Sequence, residues 1–240
     1  MKIGVHFTLP EVDPSALAGT TVVVVDPIRA TTSIVEALAH GAGGICPTGS
    51  TEDAVRLAAS LGREDTLLCG ERKGIKVEGF DLGNSPGEFT EEAVGGMKLV
   101  MSTTNGTRAL ATAAEADRVV VCAFANLSAV AAAVSADDEV IILCAGREDR
   151  FAIDDALCAG YVVQKLVEAA DEEPDLDDSA QAAKALAEGL TLSRELLEHS
   201  AAGRATAEIG LADDLDICSD IDRHDIVPVV HDQAITLAEA

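Results

Sequence analysis

Four arginines of this chain each stand shortly after a run of apolar residues, and they are Arg29, Arg72, Arg108 and Arg147. The chain has 240 residues, with 17 lysines and arginines against 42 aspartates and glutamates, so positive charge is scarce. Guanidinium groups bind phosphate, sulfonate and carboxylate oxygens through paired hydrogen bonds. The pattern predicts a site for a small anionic substrate. The alternative is that each arginine pairs with a nearby carboxylate and only holds the fold.

The segment 102–108, Ser-Thr-Thr-Asn-Gly-Thr-Arg, lies between an apolar run and a helical pattern. Free backbone N–H groups and the helix dipole at such a junction favour phosphate or sulfonate. We predict that Arg108 takes part in catalysis and that the residues before it bind substrate. Those residues are Ser102, Thr103, Thr104, Asn105, Gly106 and Thr107. The alternative is an ordinary turn in which Asn105 and Gly106 are present because they tolerate positive φ.

Asp26 and Glu71 also follow apolar runs. Carboxylate oxygens next to a phosphate site suit Mg²⁺, which takes one or two carboxylates and completes its shell with water and substrate oxygens. The metal would polarise the phosphoryl group. We therefore predict Asp26 and Glu71 as catalytic residues and metal ligands, and Asp155 as a further ligand. For Asp155 and its neighbour Asp154, the alternative is a capping charge at the start of a helix.

Several apolar runs are rich in β-branched residues and are bounded by turn formers, as is typical of strands buried on both faces. The predicted strands are residues 21–26, 44–47, 66–70, 98–102, 118–124 and 139–145. Helical spacing predicts helices over residues 31–39, 51–60, 107–114, 127–134 and 156–168. This alternation predicts a three-layer α/β/α fold with a mostly parallel, mixed sheet. Ligands of such a sheet bind beyond the carboxyl ends of its strands, where the polar segments lie.

The composition changes after residue 170, where an acidic loop precedes a C-terminal helical section with two helical stretches. A last strand over residues 225–230 contains Pro228, which predicts a final edge strand because proline cannot donate a ladder hydrogen bond. Asn126 stands before the helix over residues 127–134, and we predict that it caps this helix and binds substrate. We predict one α/β domain over residues 1–240, with a two-lobed sheet as the alternative.

The net charge of −25 is extreme for a chain of this size. A polyanionic surface repels nucleic acid and anionic lipid, so we expect neither as a partner. No apolar run is long enough to cross a bilayer and no signal peptide is recognisable, which predicts a cytoplasmic protein. The acidic surplus with few lysines predicts a halophilic host with high intracellular salt. A homo-oligomer stays open.

Six cysteines are scattered without a C-x-x-C pair, which predicts reduced thiols in the core. Residues 144–150 fit the C-x₅-R spacing of phosphatases with a cysteine nucleophile, but Glu148 and Asp149 inside this segment would oppose a thiolate. Two other classes stay as alternatives. A redox enzyme would need a glycine-rich G-x-G-x-x-G loop, which is missing after residue 26, and a non-catalytic anion-binding protein would not need the carboxylates.

Taken together, these motifs resemble those of the 2-phosphosulfolactate phosphatase family. The resemblance lies in DPIRATTSIVEAL (26–38), GERKGIKVEGFDLGNSPGEF (70–89), STTNGTRAL (102–110), CAGREDRFAIDDALCAGYVV (144–163) and GLADDLDICSDIDRHDIVPVV (210–230). It spans nearly the whole chain in the expected order, and the combination of FDLGNSP with STTNGTRA is specific. The chain departs from the pattern at Pro27, Asp149 and Asp154.

The resemblance implies a Mg²⁺-dependent hydrolase that converts 2-phospho-3-sulfolactate to 3-sulfolactate and phosphate in coenzyme M biosynthesis. Such a substrate carries three anionic groups on three carbons, which matches the several arginines. Arg29 and residues 102–108 would bind its phosphate, while Arg72 or Arg147 would bind its sulfonate or carboxylate. Arg29 and Arg147 are also predicted to stabilise charge in the transition state.

The segment 74–89 is too long for a mere connector and shows no hydrophobic periodicity. We predict a binding loop or lid in which Asp81, Asn84 and Ser85 face the site. The alternative is a surface loop packed through its own apolar side chains.

Overall fold

Strand β2 (Thr21–Val25) is buried along its whole length, and its side chains divide between two hydrophobic clusters. Val22 and Val24 pack into one cluster, while Val23 and Val25 pack into the other. Successive side chains of a strand point to opposite faces, so both faces of this strand are covered. Burial on both faces therefore explains the unbroken run of valines, as the sequence predicts.

The computed structural model describes residues 1–238. The other strands are β1 (Lys2–His6), β3 (Gly44–Pro47), β4 (Thr66–Arg72), β5 (Ile75–Lys76), β6 (Lys98–Ser102), β7 (Arg118–Cys122), β8 (Glu139–Cys144), β9 (Asp175–Leu176), β10 (Pro228–His231) and β11 (Ala234–Leu237). The α-helices are α1 (Ala30–Ala39), α2 (Thr51–Leu61), α3 (Glu91–Val94), α4 (Gly106–Thr112), α5 (Leu127–Val134), α6 (Ile153–Ala169), α7 (Asp178–Gly189), α8 (Arg194–His199), α9 (Ala201–Glu208) and α10 (Asp214–Cys218). Every predicted strand and helix before residue 170 is present, with small shifts at its ends.

The strands form one mixed sheet in the order β5-β4-β6-β3-β11-β10-β7-β2-β8-β1-β9. Strands β4, β6 and β3 are parallel neighbours, and β7, β2, β8 and β1 form a second parallel group. The antiparallel hairpin of β10 and β11 lies between the two groups and pairs with both. The predicted α/β fold with a mostly parallel, mixed sheet is confirmed.

Helices cover both faces of this sheet. Helices α5, α6 and α7 pack on the face that carries Val23, and α1 and α4 pack on the face that carries Val22. Helices α6 and α7 approach closely at Gly160, where a Cβ would lie 2.1 Å from the carbonyl oxygen of Ala183. The C-terminal helical section contains four short helices, α7 to α10, where the sequence predicts two. Within residues 1–238, no helix combines the length and apolarity that a membrane crossing requires.

The prediction of a final edge strand is wrong. Strands β10 and β11 lie inside the sheet, and its edges are the two-residue strands β5 and β9. Pro228 is the first residue of β10, where a missing N–H is tolerated. The pairing of β10 with β7 is sparse and consists of the registered pair Val229 and Val120. An interior strand with so little pairing does not need the hydrogen bond that proline lacks.

Candidate active site

The segments that follow β2, β4, β6 and β8 enclose a cavity of about 330 Å³. Because β4 and β6 belong to one parallel group and β2 and β8 to the other, the cavity lies between the two groups. Helix α9 contributes a further wall through Ala202, Ala205 and Thr206. The predicted site residues that line the cavity are Asp26, Arg29, Glu71, Asn84, Thr103, Thr104, Asn105 and Arg147.

Asp26 follows β2 directly and is only 7% exposed. Its backbone is fixed by the next turn of chain, since its N–H donates to Thr31 Oγ1 at 3.1 Å and its carbonyl accepts from the Thr31 N–H at 2.9 Å. Gly106 approaches from the neighbouring strand group. A Cβ on Gly106 would lie 2.5 Å from the Ala30 Cβ and 2.9 Å from Asp26 Oδ2. The glycine is therefore required by this close approach.

The alternative for Asn105 and Gly106, a turn of positive φ, is wrong. Asn105 has a φ of −116°, and Gly106 is not among the glycines with positive φ. Asn105 precedes α4 without a side-chain capping hydrogen bond to that helix, and it lines the cavity. The presence of Asn105 is thus explained by its place in the cavity lining, and that of Gly106 by its close packing against Ala30 and Asp26.

Three buried carboxylates lie close enough on the β2 side to raise one another's pKa, and of these Asp26 lines the cavity. Burial raises the pKa of Asp26 to about 8, and the negative charges of Asp154 and Glu71 add to this rise. Burial likewise raises the pKa of Asp154 to about 6. The pKa of Asp155 is raised well above its ordinary value by burial and then by the charges of Asp154 and Asp26. Asp154 Oδ1 is buried and has no hydrogen-bond partner within residues 1–238.

Glu71, on the β4 side, is held by three hydrogen bonds. Its Oε1 accepts from the Thr104 N–H at 2.6 Å, and its Oε2 accepts from the Gly74 N–H at 2.6 Å and from Thr104 Oγ1 at 3.0 Å. Glu71 therefore ties the segment after β6 to the turn after β4. This carboxylate orders the cavity wall whatever else it binds.

Arg29 is buried at 5% exposure, and its guanidinium is held from two directions. One terminal nitrogen donates to Asp214 Oδ2 at 2.8 Å, and the other donates to the Gly74 carbonyl at 2.7 Å. Asp214 also accepts a hydrogen bond of 2.5 Å from Ser85 Oγ through its other oxygen. Arg29 lines the cavity with a fixed orientation, and part of its five-donor fork is still free.

The segment 74–89 has features of both predicted roles, a loop that faces the site and a surface loop packed through its own apolar side chains. Asn84 lines the cavity, and its Oδ1 is buried without a hydrogen-bond partner in the described part of the chain. Ser85 reaches the site only through Asp214. Asp81 faces away from the cavity and pairs with Arg63 at 2.8 Å. The predicted alternative also holds in part, because the segment packs through buried Phe80 and Phe89.

Several predicted site residues do not line the cavity, because their polar groups are used elsewhere. Arg72 donates to the Ser102 hydroxyl at 2.8 Å and to the Ser102 carbonyl at 3.0 Å, so the two residues link β4 to β6. Thr107 donates its N–H to Thr103 Oγ1 at 3.1 Å and its hydroxyl to the Thr103 carbonyl at 2.9 Å. These contacts stabilise the wall of the cavity.

Arg108 and Asn126 also lie outside the cavity lining. Arg108 pairs with Asp149 at 2.9 Å, and both side chains are about half exposed, at 49% and 51%. Asn126 is fully buried and accepts from the Ala123 N–H while donating to the carbonyls of Val121 and Ile226. It makes no capping hydrogen bond to α5, so the predicted cap is wrong. Its amide instead holds the end of β7.

The buried carboxylates on the β2 side are the residues that could bind a divalent cation. No group of three or more His, Cys, Asp or Glu side chains within residues 1–238 is arranged as a metal site. The partnerless oxygen of Asp154 and the negative charges around Asp26 nevertheless suit a cation that takes two protein carboxylates. Neither Asp154 nor Asp155 lines the cavity. Asp155 fits this role less well, because its Oδ2 already accepts from the Gly146 N–H at 2.7 Å, whereas Asp154 Oδ1 has no partner within residues 1–238.

Sequence reasoning missed two polar residues and one wall, and it chose Asp155 rather than Asp154 as the metal ligand. Lys73 lines the cavity, Asp214 orients Arg29, and Asp154 rather than Asp155 carries the partnerless oxygen. Each of these residues stands in a segment that carries the family resemblance. The sequence therefore marks the segment, but it does not predict the direction in which the side chain points. The wall formed by α9 has no polar motif that could have revealed it.

The cysteines do not contribute to the cavity. All six are free, and five of them are buried. The pKa of the Cys144 thiol is raised well above its ordinary value by burial and by the charges of Asp155 and Asp154. A thiol of this kind is a poor nucleophile, which argues against the C-x₅-R route.

Comparison with known proteins gives a consistent result. The model of a family described as 2-phosphosulpholactate phosphatase matches residues 7–233. A probable 2-phosphosulfolactate phosphatase of Clostridium perfringens is 38% identical over 231 residues, covering 95% of this chain and 92% of that one. One from Caldanaerobacter subterraneus is 36% identical over 230 residues, with 95% of both chains covered. One from Thermotoga maritima is 34% identical over 220 residues, covering 91% and 92%.

Proposed function

Because the chain belongs to the 2-phosphosulfolactate phosphatase family, we propose that it hydrolyses the phosphate ester of 2-phospho-3-sulfolactate. Water supplies an oxygen to the released inorganic phosphate, and 3-sulfolactate leaves as the free hydroxy acid. The substrate carries a phosphate, a sulfonate and a carboxylate. A matching site must therefore offer several cations within one small cavity.

The observation that carries this proposal is the composition of one cavity wall. A buried carboxylate, Asp26, lies in the same cavity as the guanidinium groups of Arg29 and Arg147. Two further cavity residues, Thr104 and Asn105, present hydroxyl and amide groups. A non-catalytic anion-binding site would have no need of a buried acidic group beside its arginines.

Arg29 is the residue best placed to bind the phosphoryl group. Asp214 and the Gly74 carbonyl hold two of its donors, so its remaining donors point in a set direction without further ordering. Preorganised donors of this kind stabilise the charge of the transition state. The ion pair with Asp214 is buried, with 4% and 7% exposure of the two side chains. Water therefore competes little for the guanidinium.

We propose that Mg²⁺ is the cofactor and that Asp26 and Asp154 hold it. The partnerless Asp154 Oδ1 and the crowding of carboxylates around Asp26 support this assignment. Glu71 has three hydrogen bonds of its own and would act mainly by ordering the wall. When bound, the metal would neutralise charge on the phosphoryl oxygens.

The proposal is tested by phosphate release from 2-phospho-3-sulfolactate with Mg²⁺ and with EDTA. We expect turnover with Mg²⁺ and loss of turnover with EDTA. Cys144→Ser serves as the control for a thiol nucleophile and should keep its activity. Absence of phosphate release from this compound and from related phospho-acids would refute the proposed activity. EDTA-insensitive turnover that Cys144→Ser abolishes would revive the thiol route.

We further propose that the protein acts in the cytoplasm of a salt-accumulating cell, that its product serves coenzyme M biosynthesis, and that nucleic acid is not a partner. The net charge of −25 supports the salt adaptation and the exclusion of nucleic acid. Melting in a KCl series tests the adaptation, since stability should rise from low to molar salt as ions screen the carboxylates. Sedimentation in the same series would establish whether the chain forms a homo-oligomer.

A further inference from the structure

Two basic side chains line the cavity and make no side-chain hydrogen bond or close ion pair among residues 1–238, and they are Lys73 and Arg147. Arg147 acts on Asp154 through its charge alone. Most basic side chains of the chain are paired, as in the contacts of Arg63 with Asp81 and of Arg118 with Asp137. In a chain with a net charge of −25, a cation that faces a cavity and lacks a protein partner is conspicuous. An anionic ligand can still satisfy both of these side chains.

Lys73 lies in a tight two-residue turn, and Arg147 directly precedes another. Lys73 and Gly74 connect β4 to β5 and have φ of 53° and 82°. Arg147 precedes Glu148 and Asp149, which have φ of 54° and 58°. A non-glycine residue in this left-handed region costs about 1 kcal/mol or more, so surrounding contacts must hold each turn.

The contacts that hold the Lys73 turn come from the phosphate end of the cavity. The Gly74 N–H donates to Glu71 Oε2 at 2.6 Å, and the Gly74 carbonyl accepts from Arg29 at 2.7 Å. The Lys73 N–H lies 3.4 Å from Thr104 Oγ1. The hydrogen bonds that fix Arg29 therefore also fix the turn that carries Lys73. The side chain of Lys73 itself is exposed.

We propose that Lys73 binds the sulfonate of the substrate and determines specificity for it, while Arg147 binds the carboxylate. The proposal rests on the proposed function. The ester and the carboxylate share one carbon, whereas the sulfonate lies one carbon further away, which suits a cation at the rim. The planar fork of Arg147 matches a carboxylate, and a lysine ammonium is a point charge that suits any of three sulfonate oxygens.

The test compares 2-phospho-3-sulfolactate with 2-phospholactate, which lacks only the sulfonate. For Lys73→Met, we expect kcat/KM to fall about 10- to 100-fold on the first compound, the range for one charged hydrogen bond. On 2-phospholactate, kcat/KM should stay within about twofold. Lys73→Arg should recover most of the loss. Lys98→Met is the matched control, since exposed Lys98 begins β6 at the opposite end of the strand from the cavity.

Equal losses of kcat/KM on both compounds, or no loss on either, would overturn the role of Lys73. If Lys73→Met does not fold, Lys73→Gln takes its place. A second measurement does not depend on turnover: calorimetric binding of 3-sulfolactate and of lactate. The wild-type protein should prefer 3-sulfolactate, and the variant should lose that preference. Absence of hydrolysis by the wild type refutes the proposed function, and absence of a binding preference refutes this inference.

Discussion

On the β4 side of the cavity, Glu71 accepts three hydrogen bonds, and Arg72 is satisfied by oxygens of β4 and β6. On the β2 side, Asp26 and Asp154 are buried, repel each other and leave one oxygen without a partner. Both sides follow parallel strands and carry the same residue types. The β4 side is satisfied by hydrogen bonds within the protein. On the β2 side, the charges of Arg29 and Arg147 offset the raised carboxyl pKa values only in part, and Asp154 Oδ1 remains available to a ligand.

Carboxylates at strand ends can therefore have opposite effects on stability. A carboxylate with three donors stabilises the folded chain by itself, while buried carboxylates that repel each other and keep an unpartnered oxygen lower stability until a cation binds. The ordered β4 side can keep the groups that bind phosphate in place. The β2 side can bind a cation strongly, because the cation neutralises buried carboxylates that repel one another. Substitutions on the two sides should therefore differ in their effects on turnover, metal binding and stability.

Arg29→Ala should have the largest effect. Loss of a guanidinium that stabilises the transition state should raise the barrier by about 3 kcal/mol or more, so turnover should slow by about two orders of magnitude or more. Steady-state kinetics on 2-phospho-3-sulfolactate measure this effect. Arg56→Ala is the control, because Arg56 pairs only with exposed Asp53. Slowing of less than about tenfold would contradict the assignment of Arg29.

Glu71→Gln and Asp154→Asn should behave in opposite ways. Glu71→Gln removes a charged acceptor of two backbone N–H groups and should lower the free energy of unfolding by about 2–3 kcal/mol, with the Mg²⁺-induced rise in Tm retained. Asp154→Asn removes a repelling charge and should keep or raise the metal-free Tm while abolishing the Mg²⁺-induced rise. Thermal melts with EDTA and with Mg²⁺ measure both. Equal responses of the two variants would refute the division of roles.

Without metal, stability should fall as the pH rises from about 4 to about 8. The pKa of Asp26 is raised by burial from its ordinary 3.8 to about 8, so deprotonation costs more in the folded than in the unfolded chain. Its contribution to stability is therefore fully present below about pH 4 and is lost as the pH passes 8. Asp26→Asn is the comparison, and its Tm should change less with pH in EDTA. Identical slopes for the two proteins would exclude Asp26 as the cause.

Arg108→Ala should have the smallest effect. The pair with Asp149 is half exposed, and such pairs contribute less than about 1 kcal/mol to stability. Because Arg108 does not line the cavity, kcat/KM should change less than about threefold, in contrast to the sequence prediction of a catalytic role. Chemical denaturation and steady-state kinetics measure the two effects. A 100-fold loss of activity would show that Arg108 reaches the substrate after a change of conformation.

Much of the site was predictable from residues that follow buried strands. Asp26, Arg29 and Arg147 line the cavity as expected, because parallel strands bring their carboxyl ends to one edge. Arg72 and Asn126 follow strands too, yet their side chains turn to neighbouring strands and carbonyls. Strand position predicts the level of a residue in the sheet but not the direction of a long side chain.

The C-terminal region shows the same limit at the level of the fold. Its helical character was predictable, but Asp214 becomes part of the site only because α10 packs beside Arg29, 185 residues away in sequence. The place of β10 inside the sheet likewise depends on strands from two distant parts of the chain. Such pairings join segments that are far apart in the chain, so local sequence patterns do not specify them.

The alternation of strands and helices, the scarcity of positive charge and the polar residues at strand ends are all properties of the sequence alone. These properties depend on local periodicity and composition, which a short segment of the chain shows without reference to distant residues. The packing of distant elements establishes which carboxylate is satisfied, which has an oxygen available to a ligand, and which cations face the cavity without a hydrogen bond. Hydrogen bonding and burial join residues that are distant in the chain, and the charge state of each group follows from those contacts.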